Sequence, residues 1–247
     1  MNSTYLVTGA SSGIGKQTCL DLAKAGHNVV LIGRDHLRTN ETLVLCNQLY
    51  QGKHQSFTFD YLNGDLDSLV EALPAINGIV HCAGVSKIIP IRNVSMKTLE
   101  TVMKVNLYIP ILLTTNLLKT KKLRDGSSVV FISSTAATFP ESGQMAYSMT
   151  KAAIDVAVLS FTKEYTAKNK IRFNSIRSFY VKTPMLDSLE NIIGSEKLKE
   201  IEMKDAPLGF SEPSDISEMI QFLLSERSAK VAGSCLRIDG GAYCTPF

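Results

Sequence analysis

Tyr147 and Lys151 stand four residues apart in a stretch, A-Y-S-M-T-K, that is otherwise small or apolar. On a helix, positions i and i+4 lie on one face, so both side chains would point the same way. A tyrosine beside an ammonium group can donate or accept a proton, because the positive charge stabilises the phenolate. The pair alone is weak, since a chain with 8 tyrosines contains one by chance in roughly one case in two.

A glycine-rich turn, T-G-A-S-S-G-I-G, occupies residues 8–15, directly after the first predicted strand. Its glycines permit a tight turn and a close approach of the main chain to a bound group, and the amides of the following helix N-terminus would face a pyrophosphate. The alternative is a glycine-rich turn that binds nothing. We predict a dinucleotide site formed here by Gly9, Ser11, Ser12, Gly13, Ile14 and Gly15.

Arg34 follows the end of the second predicted strand, in I-G-R. Folds that prefer NAD usually carry an acidic residue at this position, which bonds the ribose 2′-hydroxyl. The guanidinium of an arginine instead suits a 2′-phosphate, and Arg38 could assist it. An ordinary surface arginine is the alternative. The sequence therefore predicts NADP(H) as the cofactor, preferred over NAD(H).

Such residues need a scaffold, and short β-branched runs alternate with helical patterns along the whole chain. The candidate strands are Tyr5–Thr8, Asn28–Ile32, Ser56–Phe59, Ile79–His81, Ser128–Ser133, Ile171–Ile176 and Leu236–Ile238. The helical patterns cover residues 14–25, 65–73, 97–118, 147–168 and 214–225. This alternation predicts an α/β fold: a doubly wound (Rossmann) parallel sheet of about seven strands with helices on both faces. No linker or repeat divides it, so residues 1–247 are predicted to form a single domain.

Residues 185–207 are mixed in pattern, helical in parts and without a strand. They would follow the carboxyl end of the sixth strand, at the edge of the sheet where such folds bind ligands. We expect this segment to be a substrate-binding lid.

The composition is that of an ordinary globular protein, with 45% hydrophobic and 20% charged residues and a net charge of +3. This charge is too small to indicate a nucleic-acid partner. A basic cluster at 119–124 follows an apolar helical run, which favours a solvated helix end over a binding patch. The apolar run 107–118 is too short to span a bilayer. We expect a small-molecule substrate and neither nucleic acid nor membrane.

The cysteines and histidines show no spacing typical of a metal site. The five cysteines include no C-x-x-C, and the four histidines have no ligand spacing, so neither a disulfide framework nor a bound metal is expected. A strand-like run begins at Tyr5, which leaves no room for a signal peptide. We expect a cytoplasmic protein.

With the glycine turn, Tyr147 and Lys151 in place, the chain resembles the short-chain dehydrogenase/reductase family over nearly its whole length. Ser134, 13 residues before Tyr147, matches the catalytic serine of the family, and Asn106 matches its helix asparagine. The C-terminal segments 206–216 and 237–241 also look like those of the family. The overall pattern resembles β-ketoacyl-acyl-carrier-protein reductases as much as any branch of the family.

The resemblance implies a proton path through four residues. Tyr147 would exchange a proton with the substrate oxygen, and Lys151 would lower the pKa of that tyrosine and bond the nicotinamide ribose. Ser134 would hold the substrate oxygen in line. Asn106 would anchor a water through which Lys151 is reprotonated. The catalytic set is therefore expected to be Asn106, Ser134, Tyr147 and Lys151.

The resemblance also implies cofactor contacts outside the glycine turn and Arg34. Asp60 stands where the family has an adenine-contacting aspartate, and Val181 and Thr183 match positions that reach the carboxamide. The complete additional set is Asp60, Tyr61, Cys82, Ala83, Gly84, Tyr147, Lys151, Val181 and Thr183.

The chain departs from the family pattern at two places. The family's N-N-A-G is here His81-Cys82-Ala83-Gly84, in which His81 is expected to be a packed strand-end histidine and Cys82 a small filler. Where the family has Pro-Gly after the sixth strand, this chain has Ser178-Phe179. Phe179 does not adopt glycine's dihedral angles cheaply, so we expect a different loop path and a narrower pocket beside Tyr180.

These features predict an NADP(H)-dependent oxidoreductase that acts on a carbonyl or the matching secondary alcohol (CH–OH group). A 3-oxoacyl thioester, a sugar or a polyketide intermediate are all open as substrates. The alternative is a nucleotide-binding module with weakened catalysis that acts by interaction or redox sensing. The helices at 98–118 and 147–168 are apolar enough to pair between subunits, and the resemblance implies a homo-oligomer, a dimer or tetramer.

Overall fold

A parallel β-sheet organises the part of the chain that the structure, a computed structural model, describes, namely residues 2–243. Within that range the strands are β1 (Thr4–Thr8), β2 (Asn28–Gly33), β3 (Gln55–Thr58), β4 (Ile76–His81), β5 (Leu123–Ser134), β6 (Arg172–Ser178) and β7 (Cys235–Ile238). Their order across the sheet is β3-β2-β1-β4-β5-β6-β7, and all neighbours are parallel. The predicted doubly wound sheet is confirmed.

Helices cover both faces of the sheet. In chain order they are α1 (Gly13–Lys24), α2 (His36–Leu49), α3 (Leu66–Ala72), α4 (Met96–Met103), α5 (Ile109–Lys119), α6 (Met145–Phe161), α7 (Ala167–Asn169), α8 (Pro184–Ile193), α9 (Ser195–Asp205) and α10 (Pro213–Leu224). Residues of α3, α5 and α6 share one hydrophobic core, and those of α1, α2 and α10 share a second. The sheet therefore lies between two helical layers.

Successive side chains of a strand point to opposite faces of the sheet, so each strand contributes residues to both hydrophobic cores. In β2, Val30 and Ile32 point into the first core, whereas Val29 and Leu31 point into the second. Because both faces of a covered parallel sheet are buried, its strands read as continuous apolar runs rather than as alternating ones. This is the pattern that made the strands recognisable in the sequence.

Helix α2 is absent from the sequence analysis. Its buried residues are Thr39, Thr42 and Cys46, while Leu37 is 74% exposed and Leu49 is 49% exposed. The helix thus buries small and weakly polar side chains and leaves large apolar ones in solvent. This arrangement inverts the usual pattern on which helix prediction relies.

The segment 185–207 forms α8 and α9 beyond the end of β6. These helices enclose a small core of their own, made of Leu186, Leu189, Leu198, Ala206 and Phe210. Phe179 and Tyr180 pack against it. The segment is therefore helical and lies at the carboxyl edge of the sheet, as expected, and its role as a lid stays a prediction.

The helix Met96–Lys119 is continuous through a π turn at Lys104–Tyr108 that joins α4 to α5. In the described part of the chain, it is the one helix that meets length and composition criteria for crossing a membrane. Buried residues make up 44% of its most apolar window, and core helices of soluble proteins meet the same criteria. This is weak support for a membrane span.

The basic cluster at 119–124 is partly structural. The ammonium of Lys122 donates hydrogen bonds to the main-chain oxygens of Val70, Glu71 and Leu73, at 2.8, 2.6 and 2.6 Å. These carbonyls lie at the end of α3, and that of Val70 also accepts from the amide of Leu73 at 3.3 Å. Lys122 therefore caps α3, whereas Lys119 lies in the last turn of α5, where the sequence analysis placed these cations.

Candidate active site

Two glycines in the turn between β1 and α1 are required by close contacts. Gly9 has φ +68°, and a Cβ built on it would lie 2.8 Å from the main-chain nitrogen of Ala83. A Cβ on Gly15 would lie 2.3 Å from the main-chain oxygen of Gly9. The first contact brings the β4 end against the turn, and the second lets α1 pack tightly on β1. A side chain at either position would push these backbone segments apart and change the shape of the turn.

The N-terminus of α1 is suited to an anion. Ser12 occupies the N-cap position without a side-chain capping bond, and the first turn of α1 contains no acidic residue. The first amides of a helix have no partners within the helix and carry its positive dipole end. Ser11, Ser12 and Ile14 are partly exposed around this turn, so the residues present fit a pyrophosphate.

Two hydrogen bonds from neighbouring segments support the glycine turn between β1 and α1. The amide of Gly9 donates to the hydroxyl of Tyr61 at 3.3 Å, and the amide of Ala83 donates to the hydroxyl of Thr8 at 3.2 Å. Tyr61 is buried, and burial raises the pKa of its phenol, so it stays protonated. The structure thus places Tyr61 beneath the predicted cofactor site as a support for the turn.

Asp60 and Arg34 lie beyond the ends of β3 and β2. The carboxylate of Asp60 accepts from the amide of Leu62 and from the side chain of Asn63, both at 2.9 Å. These bonds, with a smaller contribution from the charge of Arg34, lower the pKa of Asp60. Arg34 is exposed. Its guanidinium is therefore accessible to solvent at the position where the sequence predicts binding of the 2′-phosphate.

The predicted catalytic residues converge at the carboxyl ends of β4 and β5. The amine of Lys151 lies 5.4 Å from the ring centroid of Tyr147. The side chain of Ser134 is near enough to Tyr147 to lower the pKa of its phenol. A Cβ on Gly84 would lie 3.6 Å from Oδ1 of Asn106 and 3.9 Å from Nζ of Lys151. Residues as far apart as 84 and 151 in the chain therefore meet in one site.

The electrostatics of the pair differ from the expectation. Burial raises the pKa of Tyr147, and only the side chain of Ser134 opposes this shift. The amine of Lys151 donates to the main-chain oxygen of Ile132 at 2.7 Å. Burial lowers the pKa of Lys151 to about 8, with Asp155 opposing. The pKa of Tyr147 is thus raised with no contribution from Lys151, whereas the sequence analysis expected Lys151 to lower it.

Asn106 lies in the π turn at Lys104–Tyr108, and its side chain is held on both sides. Its Oδ1 accepts from the amide of Val85 at 2.8 Å, and its Nδ2 donates to the main-chain oxygen of Val85 at 2.9 Å. A longer bond of 3.3 Å reaches the hydroxyl of Thr150. The Asn106 side chain thus joins the helix to the loop after β4.

His81 and Cys82, at the first departure from the family pattern, are packed residues. The imidazole of His81 stacks on Phe131 at 4.7 Å and pairs with the hydroxyl of Thr114 at 2.9 Å. Burial lowers the pKa of His81 to about 3 and raises that of Cys82 to about 12. Neither group is charged at neutral pH, so neither is suited to proton transfer or nucleophilic attack there.

At the second departure, the residues after β6 still reach the glycine turn. Phe179 does not have a positive φ. Val181 is buried and pairs with Ser211 in a short bridge. A methyl carbon of Thr183 lies 3.0 Å from where a Cβ of Gly13 would be. The effect of Phe179 on the loop path stays a prediction.

Three polar residues on the segments that carry this site were not identified from the sequence. Thr150 donates to the main-chain oxygen of Tyr147 at 2.6 Å. Asp155 is buried one helical turn after Lys151. Glu141 accepts from Tyr180 and Tyr243. The spacing of Lys151 and Asp155 was a usable signal, as was a single acid between Ser134 and Tyr147.

Metal and disulfide chemistry find no support in residues 2–243. That range contains no group of three or more histidine, cysteine, aspartate or glutamate side chains placed to hold a metal ion. Cys19, Cys46, Cys82 and Cys235 are free thiols. Cys244, the fifth cysteine, lies outside the described residues.

Comparisons with known proteins agree with this geometry. Residues 9–243 match the family described as enoyl-(acyl carrier protein) reductase. The chain is 28% identical to the 3-oxoacyl-[acyl-carrier-protein] reductase FabG of Thermotoga maritima, over 96% of each chain. It is 30% identical to the L-xylulose reductase of Caenorhabditis elegans, over 96% of this chain and 94% of that protein.

A solved structure from Beutenbergia cavernae has the same fold. It is provisionally described as an NAD(P)-dependent gluconate 5-dehydrogenase and contains NADP at low occupancy. The TM-score is 0.87 and the identity 25%, covering 97% of this chain and 96% of that one. The likeness extends over both helical layers and the sheet between them.

Proposed function

Since the chain belongs to the short-chain dehydrogenase/reductase family and is an oxidoreductase of carbonyl or alcohol groups that uses NAD(P), we propose that it is specific for NADP(H). This proposal rests on the position of Arg34. The residue is exposed where β2 ends, and β2 is the neighbour of β1, which leads into the glycine turn that contains Gly9 and Gly15. NADP is also the nucleotide in the Beutenbergia cavernae structure. The substrate that we propose is a carbonyl compound, with a 3-oxoacyl thioester as one candidate, as in FabG.

The residues of the chain have distinct roles in this proposal. The α1 N-terminus and the glycine turn hold the pyrophosphate, Arg34 holds the 2′-phosphate, and Val181 and Thr183 face the nicotinamide. Bound NADPH supplies the hydride. Asp60, Cys82, Ala83 and Gly84 line the adenosine side, with Tyr61 supporting the turn.

Proton transfer falls to the residues at the end of β5. Tyr147 gives its phenolic proton to the substrate oxygen, which Ser134 holds in line through a hydrogen bond. The raised pKa of Tyr147 suits a proton donor, since the phenol is then fully protonated at neutral pH. Lys151 leaves the carbonyl of Ile132 to bond the ribose, and its ammonium then stabilises the phenolate.

Asn106 acts mainly through the backbone in this proposal. Its side chain is already bonded to Val85, so a water that reprotonates Lys151 would bind the main-chain carbonyl of Asn106. The π turn suits this role because it interrupts the regular hydrogen bonding of the helix.

We further propose a cytoplasmic, homo-oligomeric enzyme with α8 and α9 as a substrate lid. The four described free thiols fit a reducing compartment. The lid helices enclose their own small core, which contacts the sheet edge through Phe179 and Tyr180. Such a unit can move without disturbing the main cores.

The test is a titration with NADPH and NADH, followed by nicotinamide fluorescence, on the wild type and Arg34→Ala. We expect NADPH to bind more tightly to the wild type, and the substitution to weaken NADPH by about 10- to 100-fold, the range for a charge-assisted hydrogen bond. NADH binding should not change. Arg38→Ala serves as the matched control, with a smaller effect.

Other outcomes decide between the readings. Equal affinities of the wild type for the two nucleotides would overturn the NADP(H) specificity. If the nucleotides bind and no carbonyl compound is reduced, the nucleotide-binding module with weakened catalysis becomes the better interpretation. If neither nucleotide binds, both interpretations are overturned. Carbonyl reduction by the wild type, lost in Tyr147→Phe, would establish turnover.

A further inference from the structure

Glu141 lies in the loop between Ser134, at the end of β5, and Tyr147, in the first turn of α6. Tyr180 stands two residues beyond Ser178, whose Cα is the register partner of Ser134. The ends of neighbouring parallel strands lie about 5 Å apart at one edge of a sheet. Glu141 and Tyr180 are therefore at the edge where the substrate carbonyl would bind.

The Glu141 carboxylate ties together three segments at this edge. Its Oε2 accepts from the hydroxyl of Tyr180 at 2.5 Å and from the side-chain amide (Nε2) of Gln144 at 3.3 Å. Its Oε1 accepts from the hydroxyl of Tyr243 at 3.2 Å. An ionised carboxylate has about four acceptor positions. Three donors therefore leave it able to accept one more hydrogen bond.

Aromatic rings surround this carboxylate. Phe139 stacks on Tyr243 with ring centroids 4.6 Å apart, and Phe179 contacts Tyr243 edge-on at 5.5 Å. Phe179 also packs on Tyr180 at 4.5 Å. Phe139 is 41% exposed and Phe179 is partly buried, so these rings shield the group from water in part. A charge there is screened less than it would be in bulk solvent.

Both phenols are held as donors. Burial, followed by the hydrogen bond to Glu141, raises the pKa of Tyr180, and burial with the charge of Glu141 raises the pKa of Tyr243 to about 12. Both phenols therefore keep their protons at neutral pH and donate them in hydrogen bonds to Glu141.

We propose that Glu141 determines the specificity of the reaction, by selecting carbonyl or alcohol substrates that present a hydroxyl or amine donor and rejecting those that carry a carboxylate or phosphate. A donor fills the remaining acceptor position of the carboxylate, whereas a second anion is repelled by it. Phe139 and Phe179 supply the apolar wall against which the rest of the substrate lies. This inference rests on the proposed function, because it concerns the substrate of the same site.

The selection narrows the substrate classes that the sequence leaves open. A polyhydroxylated sugar presents donors and is favoured by Glu141. A 3-oxoacyl thioester presents neither a donor nor a charge next to its carbonyl, so Glu141 neither selects nor rejects it. A keto acid with its carboxylate near the reacting carbonyl is not compatible. Charge near the carbonyl is therefore the property to vary.

Acetoacetamide and acetoacetate are matched probes, because they differ in charge and donor capacity and hardly in shape. With saturating NADPH, we expect the wild type to favour the amide in kcat/KM by about tenfold or more, the effect of one nearby charge in a partly desolvated site. Glu141→Gln should reduce this preference to about twofold or less. The main change should be a higher kcat/KM for acetoacetate.

Tyr180→Phe is the control for a purely structural role. It removes a hydrogen bond from the same group and leaves the carboxylate charge in place, so it should keep the preference for the amide. If Tyr180→Phe abolishes the preference as fully as Glu141→Gln does, Glu141 is only a structural tie and the proposal is overturned.

Binding is measured independently of turnover, by ligand-observed NMR with Tyr147→Phe enzyme that carries NADPH. Preferential binding of acetoacetamide supports the proposal. Equal binding of the two probes, or none of the amide, overturns it. Failure of the proposed function would appear separately, as a loss of NADPH binding in the fluorescence titration.

Discussion

At the scale of single residues, the environment of Lys151 controls the proposed chemistry. Its amine is buried, and burial lowers its pKa to about 8. Asp155, one turn further along α6, raises that pKa through its negative charge. The carboxylate of Asp155 is itself held by the hydroxyl of Ser175 at 2.6 Å and by Arg177 at 2.7 Å. Asp155 thus favours the ammonium form.

We predict that Asp155→Asn moves the alkaline limb of carbonyl reduction to lower pH. Removing the negative charge lowers the pKa of Lys151 further, so the required ammonium is lost at a lower pH, by on the order of one unit. Activity should fall as pH rises through the pKa of Lys151. The measurement is the pH profile of kcat/KM, which reports the free enzyme.

Ser175→Ala provides the comparison for Asp155. It removes the 2.6 Å bond and leaves the charge, so its alkaline limb should stay near that of the wild type. An unchanged profile in Asp155→Asn would contradict the role assigned to this carboxylate.

At the scale of elements, the helix from α4 to α5 and the loop after β4 are joined through Asn106. The π turn places this side chain so that both of its polar atoms meet the backbone of Val85. Because Asn106 is only 2% exposed, water cannot replace these bonds. The loop that continues from Gly84 therefore depends on one asparagine.

We predict that Asn106→Ala lowers the free energy of unfolding by about 1–3 kcal/mol, since it leaves buried backbone groups of Val85 unpaired. It should also slow turnover, because Gly84 and Lys151 adjoin this side chain. Urea unfolding and steady-state kinetics measure the two effects.

Asn116→Ala is the matched control on the same helix. The Asn116 amide donates to Asp67 in a more exposed bond of 2.9 Å, so its loss should cost about 0.5–1 kcal/mol. If both substitutions destabilise the protein equally and leave turnover intact, Asn106 does not hold the loop after β4 in the position that turnover requires.

At the scale of the whole molecule, apolar side chains are exposed along two neighbouring helices. On the segment that joins α4 to α5, Tyr108 is 50% exposed and Leu112 is 47% exposed. On α6, Val156 is 63% exposed and Leu159 is 48% exposed. Large exposed apolar patches mark interaction sites in soluble proteins, which supports the proposed homo-oligomer.

We predict that Val156→Glu lowers the oligomeric state in analytical ultracentrifugation, because it would bury a charge in an apolar interface. Ile192→Glu is the control, since Ile192 on α8 is 64% exposed, about as much as Val156, and lies on a different helix from this face. A wild type that sediments as a monomer, or Val156→Glu that sediments as the wild type does, would contradict the predicted interface.

What could be predicted from the sequence is encoded in short windows. The glycine turn, the apolar strands and the spacing of Tyr147 and Lys151 each involve fewer than ten residues, in which local geometry follows from residue type. The sheet order then follows because parallel strands joined by helices pair in a restricted set of ways. Arg34 was found by the same logic, as a residue at the end of a strand.

What only the tertiary structure decided depends on contacts between distant residues. The bond of Lys151 to Ile132 and the raised pKa of Tyr147 come from burial, which no local pattern encodes. Helix α2 escaped notice because packing, and not apolarity, selects its buried threonines. Glu141 meets residues 39 and 102 positions away, so its partners are determined only when three loops converge at one edge of the sheet.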